Sequence, residues 1–321
     1  MLTPEFLHYF SAALTVILGG LGGGLGQGIA ASESISTMLR QPTGNDQSFR
    51  AMIIGLALIE SGCIVALVVT LLMLMSAPKE ISMAMAVAEL GMALAVGIAA
   101  VAISMASSFV VRAATLSISR QPMFSSKIFT LMLLTQSIIE APVIFAFIVA
   151  LTIKAQISPS MPLAYGLKSL AAGLAVAFGC IGPSIGQAIF ASSANKSLGI
   201  NKHAYGKLFP FTLVCEAIIE TPMIFCLLFS FLIMYTKSPV GTESLISTVS
   251  FFVAAFTVGI GALGGSSAIG YVASKSCLEI ALEPKNYPEL IRTTLLAIAF
   301  IESIVVYALI VGFFLIWRAG S

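Results

Sequence analysis

Long apolar stretches alternate along the chain with short polar ones, and one glutamate recurs deep inside every second stretch. Glu60 lies in GLALIESG, Glu140 in TQSIIEAP, Glu220 in CEAIIETP and Glu302 in AIAFIESI, at intervals of 80, 80 and 82 residues. An internal repeat of that period sets the register for the rest of the chain. In each unit, 32–40 residues before the glutamate, every second position is small. The first unit has Gly20, Gly22, Gly24, Gly26 and Gly28; the second has Ala100, Ala102, Ser104, Ala106 and Ser108. The third has Cys180, Gly182, Ser184, Gly186 and Ala188, and the fourth Ala262, Gly264, Ser266, Ala268 and Gly270.

A short polar loop separates the small-residue stretch from the glutamate stretch: 39–46, 119–126, 199–206 and 282–289. Each unit therefore predicts helix, polar loop, helix. The stretches are long enough to span about 30 Å of hydrocarbon at 1.5 Å per residue. The expected fold is an all-α membrane protein with eight transmembrane helices. They form four tandem helical hairpins, at 1–78, 79–158, 159–238 and 239–321.

Composition narrows the solvent. Hydrophobic residues are 58% of the 321 and charged residues only 9%, with a mean hydropathy of +1.04, where soluble proteins carry about 25% charge. A bilayer suits such a surface, and the backbone must then close its own hydrogen bonds. Met1–Phe10 has no basic n-region and no cleavage site follows, so we expect no removable signal peptide. Cys63, Cys180, Cys215, Cys226 and Cys277 fall in or beside apolar stretches without metal-ligand spacing and read as small packing residues. His8 and His203 stand near segment ends and suggest no metal site.

Basic residues set the orientation. The intra-hairpin loops and their flanks hold Arg40, Arg50, Arg112, Arg120, Lys127, Lys196, Lys202, Lys207, Lys275, Lys285 and Arg292; the other side holds Lys79, Lys154, Lys168, Lys237 and Arg318. The positive-inside rule puts the loops in the cytoplasm and both termini opposite, with Trp317 as an interfacial anchor.

Small residues let helix backbones approach closely in lipid. Five of them two apart cover most of a helix's circumference, which predicts neighbours on several sides: a tight inner ring with the glutamate helices outside. Simple packing within each hairpin is the competing reading. A glutamate at a helix centre costs about 2.5–3.5 kcal/mol on insertion scales and normally faces a partner or a pathway. Burial disfavours the charged carboxylate unless a cation or donor stabilises it, so such a group can take up and release a monovalent cation. Interhelical hydrogen bonding alone would be served by glutamine or serine.

A glycine-rich first helix, an Arg-Gln-Pro loop (Arg40-Gln41-Pro42, Arg120-Gln121-Pro122) and a mid-membrane carboxylate in the second helix resemble the c subunit of F-type ATP synthases. The likeness covers nearly the whole chain, four times over. It implies a rotor ring built from copies of the chain in an energy-transducing membrane, the bacterial inner membrane being the expected one. It also implies carboxylates loaded from a stator a subunit, loops contacting the central stalk, and contact with membrane lipids. The family member is usually one hairpin, so this is a four-fold fusion. The third loop has Ile200-Asn201-Lys202 and the fourth Leu282-Glu283-Pro284, departures that weaken the expectation of stalk contacts there. If each chain gives all its hairpins to one ring, two, three or four copies would supply about 8, 12 or 16 hairpins, multiples of the repeat unit. A vacuolar-type proteolipid and a repeat-built secondary transporter or channel are the alternatives; four equivalent carboxylates fit neither well.

In sodium-carrying members a Gln on the first helix and a hydroxyl after the Glu help ligate the ion, and each site borrows ligands from the neighbouring hairpin. By that resemblance sodium could be held at Gln27, Glu60 and Ser61, and at Gln187, Glu220 and Thr221. The second unit has Ser107, Glu140 and Ala141, and the fourth Ile269, Glu302 and Ser303. All hairpins pass one stator channel, so the poorest sites decide, which favours protons over sodium. Glu216, one turn before Glu220 where the other units have Leu56, Gln136 and Ile298, reads as a donor to Glu220 when protonated or as an added ion ligand, the first being favoured because two nearby carboxylates cannot both ionise cheaply. No cofactor, nucleic-acid partner or nucleotide-binding loop is expected; any ATP chemistry belongs to partner subunits.

Overall fold

The computed structural model describes residues 3–77, 80–237 and 243–320, with Arg40 and 243–245 in their backbone only. Lys79, the boundaries at 78/79 and 238/239 and the Arg40 side chain thus lie outside the described residues. Among the described residues ten α-helices follow in order: α1 (Pro4–Arg40), α2 (Asn45–Ile59), α3 (Ser61–Met75), α4 (Met83–Arg120) and α5 (Ser125–Ile139). They continue as α6 (Ala141–Gln156), α7 (Leu163–Ile200), α8 (Tyr205–Tyr235), α9 (Glu243–Leu282) and α10 (Tyr287–Gly320). Because α2 runs on into α3 and α5 into α6, they make eight segments long and apolar enough to cross a membrane. At 1.5 Å per residue a 38-residue helix such as α4 reaches about 57 Å. Helices of that length outrun the hydrocarbon and carry each loop clear of it.

The loops share one backbone course despite their different sequences. The Gln41, Gln121, Asn201 and Glu283 N–H groups return to the carbonyls four residues earlier, and a single 3₁₀ turn follows each. Pro42, Pro122 and Pro284 open three of these turns. A proline disfavours helical backbone at the residue before it, which ends α1, α4 and α9. In the third loop Lys202 stands where the proline would be. There Asn201 accepts from the His203 N–H at 3.0 Å and donates to the Ala281 carbonyl of the next hairpin at 2.9 Å. At the opposite ends Thr3 and Ser82 cap α1 and α4 by accepting from Phe6 N and Met85 N.

The first helices of the hairpins pack in the order α1–α4–α7–α9, and each second helix lies in the groove between its own first helix and the next one. Among the described residues the last second helix, α10, packs chiefly on α9, with a smaller contact to α8. Small residues make the close approach feasible. A Cβ on Gly22 would sit 2.5 Å from Val101 Cα, one on Gly26 2.6 Å from the Ser104 carbonyl oxygen, and one on Gly91 2.8 Å from Leu170 Cα. The row is open at both ends: the apolar windows of α4 and α7 are 67% and 72% buried, those of α1 and α9 only 39% and 44%. On the open face of α1, Gly20, Gly24 and Gly28 have nothing within 4 Å of a would-be Cβ; on α9 the same holds at Gly264.

Candidate functional site

The four glutamates occupy equivalent points of the second helices, with Glu60 exposed and Glu140, Glu220 and Glu302 part-buried. In the first two hairpins the glutamate interrupts the helix: Glu60 joins α2 to α3 and Glu140 joins α5 to α6. There the Cys63 and Val143 N–H groups bond the Glu60 and Glu140 carbonyls three residues back. Pro142, without an N–H, loosens the ladder beside Glu140. Pro222 stands in the same place after Glu220, yet α8 stays continuous.

Glu140 has the fullest set of donors. Its carboxyl accepts from the hydroxyl of Ser61, in the preceding hairpin, and from Ser107 of α4 at 3.2 Å. This changes the grouping read from the sequence. Ser61 was expected beside Glu60 and instead reaches across the hairpin joint to Glu140, because the second helix lies against two first helices. Gln27, expected on Glu60, donates to the Leu56 carbonyl at 3.2 Å. Thr221 and Ser303 bond back to carbonyls of their own helices, Ala217 at 3.1 Å and Phe300 at 2.7 Å. Gln187 is fully buried without a hydrogen bond and lies beside the carboxyl of Glu216. Glu216 thus has both the Gln187 amide and the Glu220 carboxyl within its reach. Ile269, at the glutamine position of the fourth unit, is buried.

The Arg-Gln-Pro positions lie at the loop end: Arg120 and Pro42 are exposed, and Gln41, Gln121 and Pro122 half-buried. Trp317 is 73% exposed near the end of α10, where an aromatic anchor would meet lipid.

Three polar features escaped the sequence reading. Ser104 of α4 donates to the Ile59 carbonyl at 3.0 Å, holding the backbone just before Glu60 from the next hairpin. Glu89 is buried between His8, whose Nδ1 is 2.5 Å away, and Lys154, whose ammonium donates at 3.3 Å. Glu33 pairs with Arg112 at 2.9 Å near the loop end of the same joint. Charged residues in apolar stretches were the available signal for Glu89 and Lys154; their partner on α1 was not readable from spacing.

Replacing Ser61 with alanine tests the cross-joint contact. A hydroxyl donated to a carboxylate favours its charged form, and hydrogen bonds to charged groups contribute about 1.5–3 kcal/mol. Modification of Glu140 by a hydrophobic carbodiimide, which takes protonated carboxyls, should speed up by roughly tenfold while Glu60 keeps its rate. A change at Glu60 instead would mean that Ser61 serves its own hairpin.

The family model for the ATP synthase C subunit matches four times, at residues 10–73, 90–153, 170–233 and 252–315. The ATP synthase c subunit of Geotalea uraniireducens (strain Rf4) is 42% identical over 77 residues, 24% of this chain and 85% of that protein. The ATP synthase c subunit numbered 2 of Pelobacter propionicus is 40% identical over 76 residues, 23% of this chain and 84% of that protein. The ATP synthase c subunit of Synechococcus sp. (strain JA-2-3B'a(2-13)) is 43% identical over 68 residues, 21% and 84% of the two chains. Each of these relatives is thus about one hairpin long, and the four tandem matches cover most of the chain: it belongs to the ATP synthase C-subunit family, with four family units in one polypeptide.

Proposed function

We propose that the chain carries protons on Glu60, Glu140, Glu220 and Glu302 past a stator a subunit and so drives rotation of an ATP synthase rotor. Membership of the family supports the coarser statement directly: this is an integral membrane subunit of ATP synthase, acting in a ring that translocates ions. Placement in a bacterial inner membrane, loops cytoplasmic and facing the central stalk through Gln41, Pro42, Arg120, Gln121 and Pro122, is part of the same proposal. Arg40 belongs to that set by sequence.

The observation that carries the reading is the composite carboxyl site at Glu140, built from two successive hairpins. Among the described residues, the hydroxyl that such a site would place beside Glu60 and the glutamate that it would place beside Ser303, the fourth-unit counterpart of Ser61, are not found. A second copy placed head to tail would supply both. The faces agree: Gly264 and Ala268 of α9, exposed, hold the register that Gly22 and Gly26 use against α4. Gly20, Gly24 and Gly28 hold the register by which α9 meets α7 through Ala262, Ser266 and Gly270. Such a heterologous contact closes into a ring when the rotation permits.

The ion is decided by labelling the purified ring with a hydrophobic carbodiimide and mapping adducts by mass spectrometry with and without sodium. Modification of all four glutamates, indifferent to sodium, is the expected result. Protection by sodium at Glu60 and Glu220 would assign sodium instead, and no modification at any of the four would overturn the rotor reading.

A further inference from the structure

We propose that Glu216 sets the ion selectivity of the third hairpin by holding a proton and pairing with Gln187, which removes from Glu220 the amide a sodium site would use. The inference rests on the rotor reading above. Glu216 is fully buried and both its carboxyl oxygens lack hydrogen-bond partners; the same is true of Gln187 and both its amide atoms. The two side chains are adjacent, one on α8 and one on α7. An ionised carboxylate so buried, with one neutral amide as its nearest donor and no cation beside it, is the costliest form of the group. The titratable groups within its electrostatic reach are Glu220 one turn on, Cys215 beside it and Cys277 of α9. All are acids, and none stabilises a negative charge.

One proton resolves the arrangement. The Glu216 O–H can donate to Gln187 Oε1 while one Gln187 Nε2–H donates to the other Glu216 oxygen, a cyclic acid–amide pair that gives each of the four polar atoms a partner. A sodium ion would need several more oxygen ligands. The first hairpin gives the contrast: with Leu56 at the corresponding position, Gln27 is free of any such acid and donates to a backbone carbonyl beside Glu60.

The full-length ring is labelled with the carbodiimide, with and without sodium, for the native chain, Glu216→Leu and Glu216→Gln. In the native chain Glu220 should react at a rate sodium does not change. In Glu216→Leu, which restores the first-hairpin residue, sodium should slow Glu220 on the order of tenfold, the scale of a hydrogen bond to a charged group. Sodium protection of Glu220 in the native chain, or no gain of protection in Glu216→Leu, overturns the proposal. Infrared difference spectra read the pair independently of transport and of ring assembly. A protonated, hydrogen-bonded carboxyl band should vanish in Glu216→Gln and shift to that of a free acid in Gln187→Leu, and its absence from the native chain also overturns the proposal. If none of the four repeat glutamates reacts while this band behaves as expected, the rotor reading fails and the Glu216–Gln187 pair stands.

Discussion

Replacing Glu140 with glutamine is expected to stop coupled proton transport, lowering ATP-driven pumping in reconstituted vesicles by at least about a hundredfold, the lower end of what obligatory proton-transfer groups contribute. Glutamine keeps the size of the side chain, and its amide oxygen can accept from one of Ser61 and Ser107 while its amide N–H donates to the hydroxyl oxygen of the other, so the joint between the first two hairpins should hold. What it loses is the exchangeable proton. Each copy of the chain carries the lesion once, so every turn of the ring would present several hairpins that cannot load. Unlike a partial defect at a membrane pore, the block cannot be bypassed by the remaining glutamates, since all must pass the same channel in sequence. Ring integrity is checked by native mass spectrometry, and Glu140→Asp should return part of the activity. Full pumping by an intact Glu140→Gln ring would show that the second hairpin is a passive spacer.

The carboxylates were legible because each sits in an otherwise apolar helix and recurs with the repeat. The loops were legible as boundaries. Their common geometry was not, since Asn201 and its hydrogen bonds reach by side chain what Pro42, Pro122 and Pro284 reach by ring constraint. Which hairpin lends a given side chain to which glutamate was not legible from spacing within a unit. Spacing within a unit puts Ser61 next to Glu60, but an outer helix seated between two inner helices turns a neighbour in sequence toward a neighbour in space, and Ser61 serves Glu140. Gln27 looked like a ligand from its residue type and instead bonds a carbonyl one turn before Glu60. Joint-specific pairs such as His8 with Glu89, and Glu33 with Arg112, follow no repeat at all. A period found by matching units is blind to what distinguishes them.

That blindness also hides which small residues are satisfied within one chain, and a pair of substitutions on α1 should separate the two kinds. Gly22 faces α4, where a Cβ would meet Val101 Cα at 2.5 Å, so Gly22→Leu forces apart two backbones rather than two flexible side chains. Overpacking of cores costs about 1–3 kcal/mol when side chains can give way, and here the cost should lie at or above that upper end. The chain itself should be destabilised, seen as a lower unfolding temperature in detergent and faster proteolysis between the first two hairpins. Gly24 is two residues away on the open face with nothing within 4 Å. Gly24→Leu should therefore leave the isolated chain as stable as before, and its helix propensity slightly improved, since leucine costs less than glycine by about 1 kcal/mol in a helix. In the assembled ring the same side chain would enter the joint with the α9 face of the next copy, where close approach of small residues drives association. The expected result is a stable single chain that no longer forms rings by native mass spectrometry, with Gly20→Leu behaving alike. Rings that assemble normally from Gly24→Leu chains would place the copy-to-copy joint on some other face of α1 and would take from Ser303 its assigned place beside Glu60.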